Sequence, residues 1–276
     1  MPDELLTNPR ADRVKAVRAL AARTARRRAG TFLVEGPQAV REAVAHGGPR
    51  VHDVYTTAEA AQRYPEIVDA ARAVGARVRT GTTEVLDAMS PDAQGLVAVA
   101  DQVHAVLADV LTAGPRLVAV LAHVRDPGNA GTVLRAADAA GADAVVLTAS
   151  SVDVHNPKAV RSTAGSLFHL PVVSGPELPE VVAALRRAGL QVLAADGGGA
   201  HDLDDLLDAA GGAPAGVPDL AAPTAWVFGN EAWGLRDEDL ALADAAVRVP
   251  LRGRAESLNL ATAAAVCLYA SGRAQR

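Results

Sequence analysis

Residues 224–235 read TAWVFGNEAWGL, an apolar run that stops at Gly229 and passes into the turn Asn230-Glu231-Ala232-Trp233-Gly234. The run holds no charge and is rich in aromatic and β-branched side chains, the pattern of a strand covered on both faces. Glycines on either side of Asn230-Glu231 let the backbone approach a ligand closely where the strand ends. The same pattern recurs outward from this point. RLVAVLA (116–122), DAVVLT (143–148), LQVLAAD (190–196) and AVRVPL (246–251) read as further strands, with helical stretches near 130–140, 157–164, 177–189, 202–209 and 256–271. Upstream, FLVE (32–35), VHDVYTT (51–57), ARVRT (76–80) and LVAVA (96–100) alternate with helical stretches at 37–46, 58–74 and 83–88. Strand–helix alternation predicts an α/β protein with parallel sheet covered on both faces. The alanine-rich stretch 103–113, closed by Gly114-Pro115, reads as a hinge. A small domain at 1–104 and a larger one at 115–276 are therefore expected, which a chain of 276 residues accommodates. Residues 209–223, AAGGAPAGVPDLAAP, read as a surface insertion too poor in side chains to pack well.

Half of the residues are hydrophobic and 21% are charged, so a core is available and wholesale disorder is excluded. No charge-free apolar run reaches the ~18 residues of a membrane-spanning helix. The opening MPDELLTNPRADR lacks the charged-then-apolar layout of a secretory signal. A lone cysteine, Cys267, makes neither an intramolecular disulfide nor a thiolate metal cage, and reads as a small buried apolar group. A cytoplasmic protein is the expectation. The net charge of −5 argues weakly against a polyanionic partner, but its distribution does not. Arg10, Arg13, Lys15, Arg18, Arg23, Arg26, Arg27 and Arg28 crowd one segment against the single acid Asp12. That segment is either a solvated amphipathic helix or an arm that grips phosphate, for which arginine is suited.

Several chemistries are excluded. There is no GxxxxGK[ST] phosphate loop and no GxSxG elbow. Asp196-Gly197-Gly198-Gly199 follows a strand but lacks GxGxxG, and the acidic stretch after it would repel a pyrophosphate. The histidines are scattered, with no i, i+4 pair bracketing a glutamate, so a zinc hydrolase is not expected. Three segments remain, each where a strand ends and a helix begins. In DPGNAGTVLR (126–135), Asn129 is a good helix N-cap, and Arg135 about two turns on seeks an anion, either a ligand or Asp138 or Asp126. In 229–235, Glu231 is a polar anchor or a solvated turn carboxylate. In VPLRGRAESLNL (249–260), Ser257 is positioned to cap the last helix and leave its first-turn N–H groups facing a crevice.

Together these segments resemble the SpoU/TrmH family of RNA ribose 2′-O-methyltransferases, within the SPOUT class. The family's N-x-G-x-x-x-R is matched at Asn129, Gly131 and Arg135. Its GNE-x-x-GL is matched at Gly229-Asn230-Glu231 and Gly234-Leu235. Its P-x-x-G-x-x-ESLN is matched at Pro250, Gly253 and Glu256-Ser257-Leu258-Asn259. The segment from Asn156 to Arg161, and the front of the chain from Arg27 through Gly36, are similar to the family as well. Loop 209–223 is longer than expected for a member.

The resemblance implies a C-terminal SPOUT-type domain whose parallel sheet carries a deep trefoil knot, preceded by a small α/β domain that binds RNA. It implies S-adenosylmethionine as cofactor, with main-chain contacts from Gly229, Val249 and Leu258, and no metal. Arg135 is the residue implied to activate the ribose hydroxyl as a base, helped by an RNA phosphate. Because an arginine holds its proton to above about pH 12, it is expected to clamp the phosphate and polarise the 2′-oxygen, and to act as a true base only if its surroundings lower its pKa severely. Asn129, Glu231, Ser257 and Asn259 are implied to orient the reacting groups. Arg26, Arg27, Arg28 and Arg161 are implied to bind structured RNA, and a homodimer to share the site. Large-subunit ribosomal RNA is the expected substrate. The alternatives are transfer RNA, or a non-catalytic RNA-binding or assembly factor that keeps the fold.

Overall fold

The computed structural model describes residues 5–46 and 50–276, in two compact units. The first comprises residues up to Val103 together with Asp153–His169; the second comprises His104–Val152 and Leu170–Arg276. Sequence patterning places one boundary at 104–115, whereas packing also takes a later segment, Asp153–His169, into the first unit. Patterning along a chain registers where periodicity breaks, not which neighbour a segment returns to.

The first unit runs α1 (Asp12–Ala19), α2 (Arg23–Ala29), β1 (Thr31–Glu35), α3 (Pro37–Ala45), β2 (Val51–Thr56), α4 (Ala58–Arg63), α5 (Pro65–Ala73), β3 (Arg77–Thr80), α6 (Thr83–Met89) and β4 (Leu96–Asp101). The second begins with α7 (Leu107–Thr112), β5 (Leu117–Leu121), α8 (Pro127–Ala140) and β6 (Ala144–Leu147); α9 (Pro157–Ser162) then belongs to the first unit. The second unit continues with β7 (Val172–Ser174), α10 (Leu178–Arg187), β8 (Gln191–Ala195), β9 (His201–Asp202), α11 (Leu203–Asp208), β10 (Thr224–Phe228), α12 (Asp237–Leu240), β11 (Ala245–Arg248) and α13 (Leu260–Ala274). The helix expected at 58–74 is two, because Pro65 lacks the N–H to continue α4 and instead opens α5. The short strands β7 and β9 escape patterning, since two or three residues carry no readable period.

The sheet of the first unit has the order β1-β4-β2-β3 and is not wholly parallel: β4 lies between β1 and β2, antiparallel to both. The expectation of a parallel sheet fails here because a helical connection does not by itself fix where the following strand inserts. Val14, Val17 and Leu20 pack with Leu33, Tyr55, Leu86 and Val97 in one core cluster. Arg26, expected to contact RNA, is 1% exposed and committed to the fold. Its guanidinium donates to the carbonyls of Leu20 and Ala21, both at 2.8 Å, and to the Asp153 carboxylate at 2.6 and 3.2 Å. It thus satisfies the carboxyl end of α1 and binds the Asp153–His169 segment with the same planar fork. Four of its five N–H donors are spent on these partners, and burial keeps the group from a phosphate, so this cation is structural.

The second unit has the order β7-β6-β5-β10-β8-β11-β9, with every recorded pairing parallel. All residues of β5, β6 and β10 are buried, as their uninterrupted apolar runs predict. Trp226 of β10 is wholly buried and its indole N–H donates to Ser271 Oγ of α13 at 2.9 Å. α13 also packs on α8, where a Cβ built at Gly272 would lie 2.5 Å from the Ala140 carbonyl oxygen. Only glycine admits that approach. Cys267 is wholly buried on the same helix, and burial pushes its thiol up to about 12, so it is inert packing. Residues 209–223 are better anchored than expected. Leu220 is fully buried, Asp219 accepts from the N–H groups of Gly211 and Ala221 at 2.9 Å each, and the Asp219 carbonyl accepts from Gln191 Nε2.

The Arg26–Asp153 pair yields a pH prediction. Burial pushes Asp153 up, but hydrogen bonds from His155 and Arg26 and the Arg26 charge outweigh it and hold the carboxyl well below the usual range. Asp153→Asn is expected to lower unfolding stability at neutral pH by about 3–5 kcal/mol, the cost of leaving a buried cation unpaired. Because the folded carboxyl titrates below its unfolded value of about 3.9, its contribution is complete above that pH and declines as pH falls toward the folded value. Urea unfolding of wild type and variant should therefore differ most at neutral pH and less at about pH 3; an equal gap at both refutes the account.

Candidate functional site

The carboxyl ends of β8, β10 and β11 open on a cavity of about 650 Å³, within the range of small-molecule sites. Its walls are Ala195, Asp196 and Gly197 after β8, residues 228–232 and Gly234 after β10, and residues 247–251 with 256–258 after β11; Leu260 and Ala263 of α13 close it. Ligands of open parallel sheets settle at this edge, where loops rather than strands must supply the polar groups.

The turn after β10 is rigid. Asn230 and Gly234 exchange main-chain hydrogen bonds at 2.9 and 2.8 Å, and Gly234 takes φ +69°, which costs a glycine little. A Cβ on Gly229 would fall 2.3 Å from the Gly234 carbonyl carbon and 2.5 Å from Leu235 N, so the turn closes only over a glycine. Asn230 is buried. Its side chain donates to the His123 carbonyl at 2.8 Å and accepts from Ala232 N–H at 2.9 Å. His123 itself holds φ +59°, a conformation costing a non-glycine residue on the order of 1 kcal/mol. Its N–H is held by Thr148 Oγ1 at 3.2 Å, and its ring meets Arg236 at 3.2 Å.

Glu231, read from sequence as either a polar anchor or a solvated turn carboxylate, is exposed but bonded to protein groups. Its carboxylate accepts from the N–H groups of Arg125 (3.3 Å) and Asp126 (3.1 Å), just before α8, and from Asn129 Nδ2 (3.3 Å). Asn129 Oδ1 in turn accepts from Asn259 Nδ2 at 3.2 Å. The turns around 129, 231 and 259 are thus brought together by one hydrogen-bonded chain of side chains. Two capping expectations are corrected. The cap of α8 is Asp126, whose carboxylate accepts from Asn129 N–H at 2.8 Å, so Asn129 lies inside the helix with its side chain released for the network. The cap of α13 is Asn259, which accepts from Ala261 N–H at 2.9 Å, and not Ser257. A shorter helix leaves Ser257 in the cavity wall.

The expected main-chain contributors Gly229, Val249 and Leu258 all line the cavity, as do Glu231 and Ser257. Among the described residues, 250–258 make no hydrogen bond to another main-chain group, so their carbonyls, and their N–H groups other than at Pro250, are free for other partners. Arg135 is exposed on α8, and its guanidinium has no hydrogen bond or ion pair among the described residues. Arg27 and Arg28 are exposed on α2. Arg161 is instead engaged in the first unit by buried Glu35, which also accepts from Ser90 Oγ, and by Asp92 at 2.9 Å. His123 carries no motif in the sequence, Asn230 stands there only as part of the turn, and Asp196 and Gly197 are set aside as a dinucleotide turn, yet all but His123 line the cavity. The strand end at Asp196 was the available signal, discounted for the acids that follow it. Trp233 is also new: 48% exposed at the rim, with the Arg125 guanidinium 5.2 Å above its ring.

Residues 116–269 match the model of the SpoU rRNA Methylase family, and residues 33–106 match that of the RNA 2′-O ribose methyltransferase substrate-binding domain. The chain belongs to the SpoU rRNA Methylase family. This SpoU methylase is 35% identical to the 23S rRNA (uridine(2479)-2′-O)-methyltransferase of Streptomyces viridochromogenes, over 91% of its own length and 85% of the relative's. It is 34% identical to the 23S rRNA (guanosine(2553)-2′-O)-methyltransferase RlmP of Bacillus subtilis, over 93% and 94% of the two chains. Its fold is similar to the crystal structure of an AdoMet-bound rRNA methyltransferase from Sinorhizobium meliloti, with a TM-score of 0.82 at 28% identity, covering 98% and 97% of the two chains.

Gly229→Ala tests the tight turn. The methyl group collides with backbone rather than with a flexible side chain, so a destabilisation of about 1–3 kcal/mol is expected in urea unfolding. Gly253→Ala, which meets nothing within 4 Å, should change stability little by comparison. Equal behaviour of the two variants refutes the packing argument.

Proposed function

We propose that this chain is an S-adenosylmethionine-dependent methyltransferase that modifies a ribose 2′-hydroxyl of large-subunit ribosomal RNA. The observation that carries the reading is the hydrogen-bonded convergence of Glu231, Asn129 and Asn259 beside a cavity at the strand ends. The related proteins named above support the substrate: two are called 23S rRNA 2′-O-methyltransferases, and the structural neighbour holds AdoMet.

The cavity fits such a cofactor. Phe228, Val247, Leu258 and Leu260 supply apolar walls for a purine, and the unpaired amides of 250–258 supply main-chain donors and acceptors. Gly229, Val249 and Leu258 are the residues we assign to hold it. Once bound, the cofactor supplies an electrophilic methyl group on a sulfonium. The remaining work falls to the chain. Arg135, cationic and unpaired, clamps an RNA phosphate and polarises the 2′-oxygen, which lowers the cost of the negative charge developing there. Asn129 and Asn259 hold the ribose in line, Glu231 fixes Asn129, and Ser257 donates from the cavity wall. Exposed Arg27 and Arg28 supply phosphate contacts, and Trp233 offers a face on which a base can stack.

Two further expectations accompany this reading. The return of α13 over β5, β8, β10 and α8 after the chain has passed through β11 supports the trefoil knot of the class. Exposed Val266 and Tyr269 on α13, 40% and 51% accessible, support a homodimer built on that helix. Among the described residues no helix is long and apolar enough to cross a membrane, and a ribosomal substrate supports a cytoplasmic location.

Transfer of labelled methyl from S-adenosylmethionine to total RNA, followed by nucleotide mapping, tests the proposal. Label is expected on one ribose of 23S rRNA, and Arg135→Ala should lower the rate by about 10²–10³-fold, the loss typical when one electrostatic stabiliser is removed. Label on a base, a preference for transfer RNA, or an undiminished Arg135→Ala enzyme overturns it.

A further inference from the structure

Glu42 on α3 and His46, which follows the last residue of α3 and caps it with an N–H to the Glu42 carbonyl, lie one turn apart, so their side chains share a face. His169, at the end of the segment that the first unit takes from later in the chain, meets them there. Both imidazoles direct Nε2 at the same carboxylate oxygen: His46 at 3.0 Å and His169 at 3.2 Å from Glu42 Oε2. The two rings sit edge to face with centroids 4.5 Å apart, and one ligand atom from each of the three residues falls within 4.8 Å of the others.

From these contacts we propose that Glu42, His46 and His169 form a zinc site in the first unit, separate from the methyl-transfer cavity. Two imidazoles and one carboxylate are a donor set that zinc accepts, leaving a fourth position for water. Zinc–ligand bonds of about 2.0–2.2 Å at tetrahedral angles place neighbouring ligand atoms about 3.3–3.5 Å apart, close to both separations found here. His46 is half exposed, which gives the ion a route in and a water to complete its shell. Glu42 is also oriented from outside the cluster, since its other carboxylate oxygen accepts from Gln38 Nε2 at 2.9 Å.

The backbone is shaped around the carboxylate. Gly165 holds φ +103°, and a Cβ there would lie 2.2 Å from Glu42 Cγ and 2.7 Å from its Cβ. Any other residue would displace Glu42 from the two rings. A glutamate that merely hydrogen-bonds two histidines needs an Nε2–H on each ring; zinc instead uses the lone pairs of both and neutralises the carboxylate. The bound ion would tie α3 to the Asp153–His169 segment, which carries α9. No pair of histidines at i, i+4 marks this cluster in the sequence, because its second histidine comes from 123 positions further along the chain.

The chelator-treated full chain, titrated with CoCl₂ and followed by visible absorption, tests the site. One saturating equivalent with tetrahedral-type bands, displaced by ZnCl₂, is expected. Glu42→Gln and His169→Ala should each weaken binding by at least about 10- to 100-fold, the loss that removal of even an outer partner causes. His201→Ala should bind as wild type does. Zinc should raise the melting temperature of wild type but not of His169→Ala, whose fold is checked by circular dichroism without metal. Absence of saturable binding, or unchanged affinity in a folded His46→Ala/His169→Ala variant, overturns the proposal.

Discussion

The Glu231 carboxylate joins two parts of the second unit that are about a hundred residues apart in sequence. It accepts from two main-chain N–H groups ahead of α8 and from Asn129, and Asn129 passes the connection to Asn259. Each bond is exposed and contributes on the order of 1 kcal/mol, so the network does not hold the fold together. The buried parallel sheet does that. What the network fixes is relative placement: the start of α8, the turn after β10 and the start of α13 keep one arrangement around the cavity. A negative charge beside the amino end of α8 also meets the positive end of its dipole, which favours the same arrangement.

Capping explains why these side chains are available. An asparagine that caps its own helix spends its carbonyl on the backbone. Asp126 relieves Asn129 of that task, so both ends of the Asn129 amide serve the network. Asn259 divides its functions, with Oδ1 capping α13 and Nδ2 reaching Asn129. Ser257, displaced from the cap, faces the cavity. Arginines divide likewise by environment. Arg26 is consumed by helix-end carbonyls and Asp153, whereas Arg27 and Arg28, its neighbours in sequence, remain exposed. Partial burial also draws the Arg161 pKa below its ordinary value while Glu35 and Asp92 hold the side chain in place.

Much of this was legible in the chain itself. Uninterrupted apolar runs at 117–121, 144–147 and 224–228 marked the buried parallel strands, because burial on both faces leaves no polar position to encode. Gly229 and Gly234 marked the tight turn, since only glycine admits its contacts and its positive φ. The three motif segments marked the residues that meet. Arg26, by contrast, is indistinguishable in sequence from Arg27 and Arg28, and the antiparallel placement of β4 has no local signature. Gln191 and Asp219, which order the loop 209–223, are likewise ordinary polar residues until the chain closes on them.

Local composition and spacing thus determined which segments become strands, which become turns, and which residue types stand at each turn, because these depend on neighbours within a few positions. Tertiary structure alone decided that Asp153–His169 packs with the first unit, that Asp126 rather than Asn129 caps α8, and that Glu42, His46 and His169 share one point in space. Those outcomes depend on contacts between residues distant in sequence, and a contact made only after chain closure leaves no periodicity along the chain that makes it.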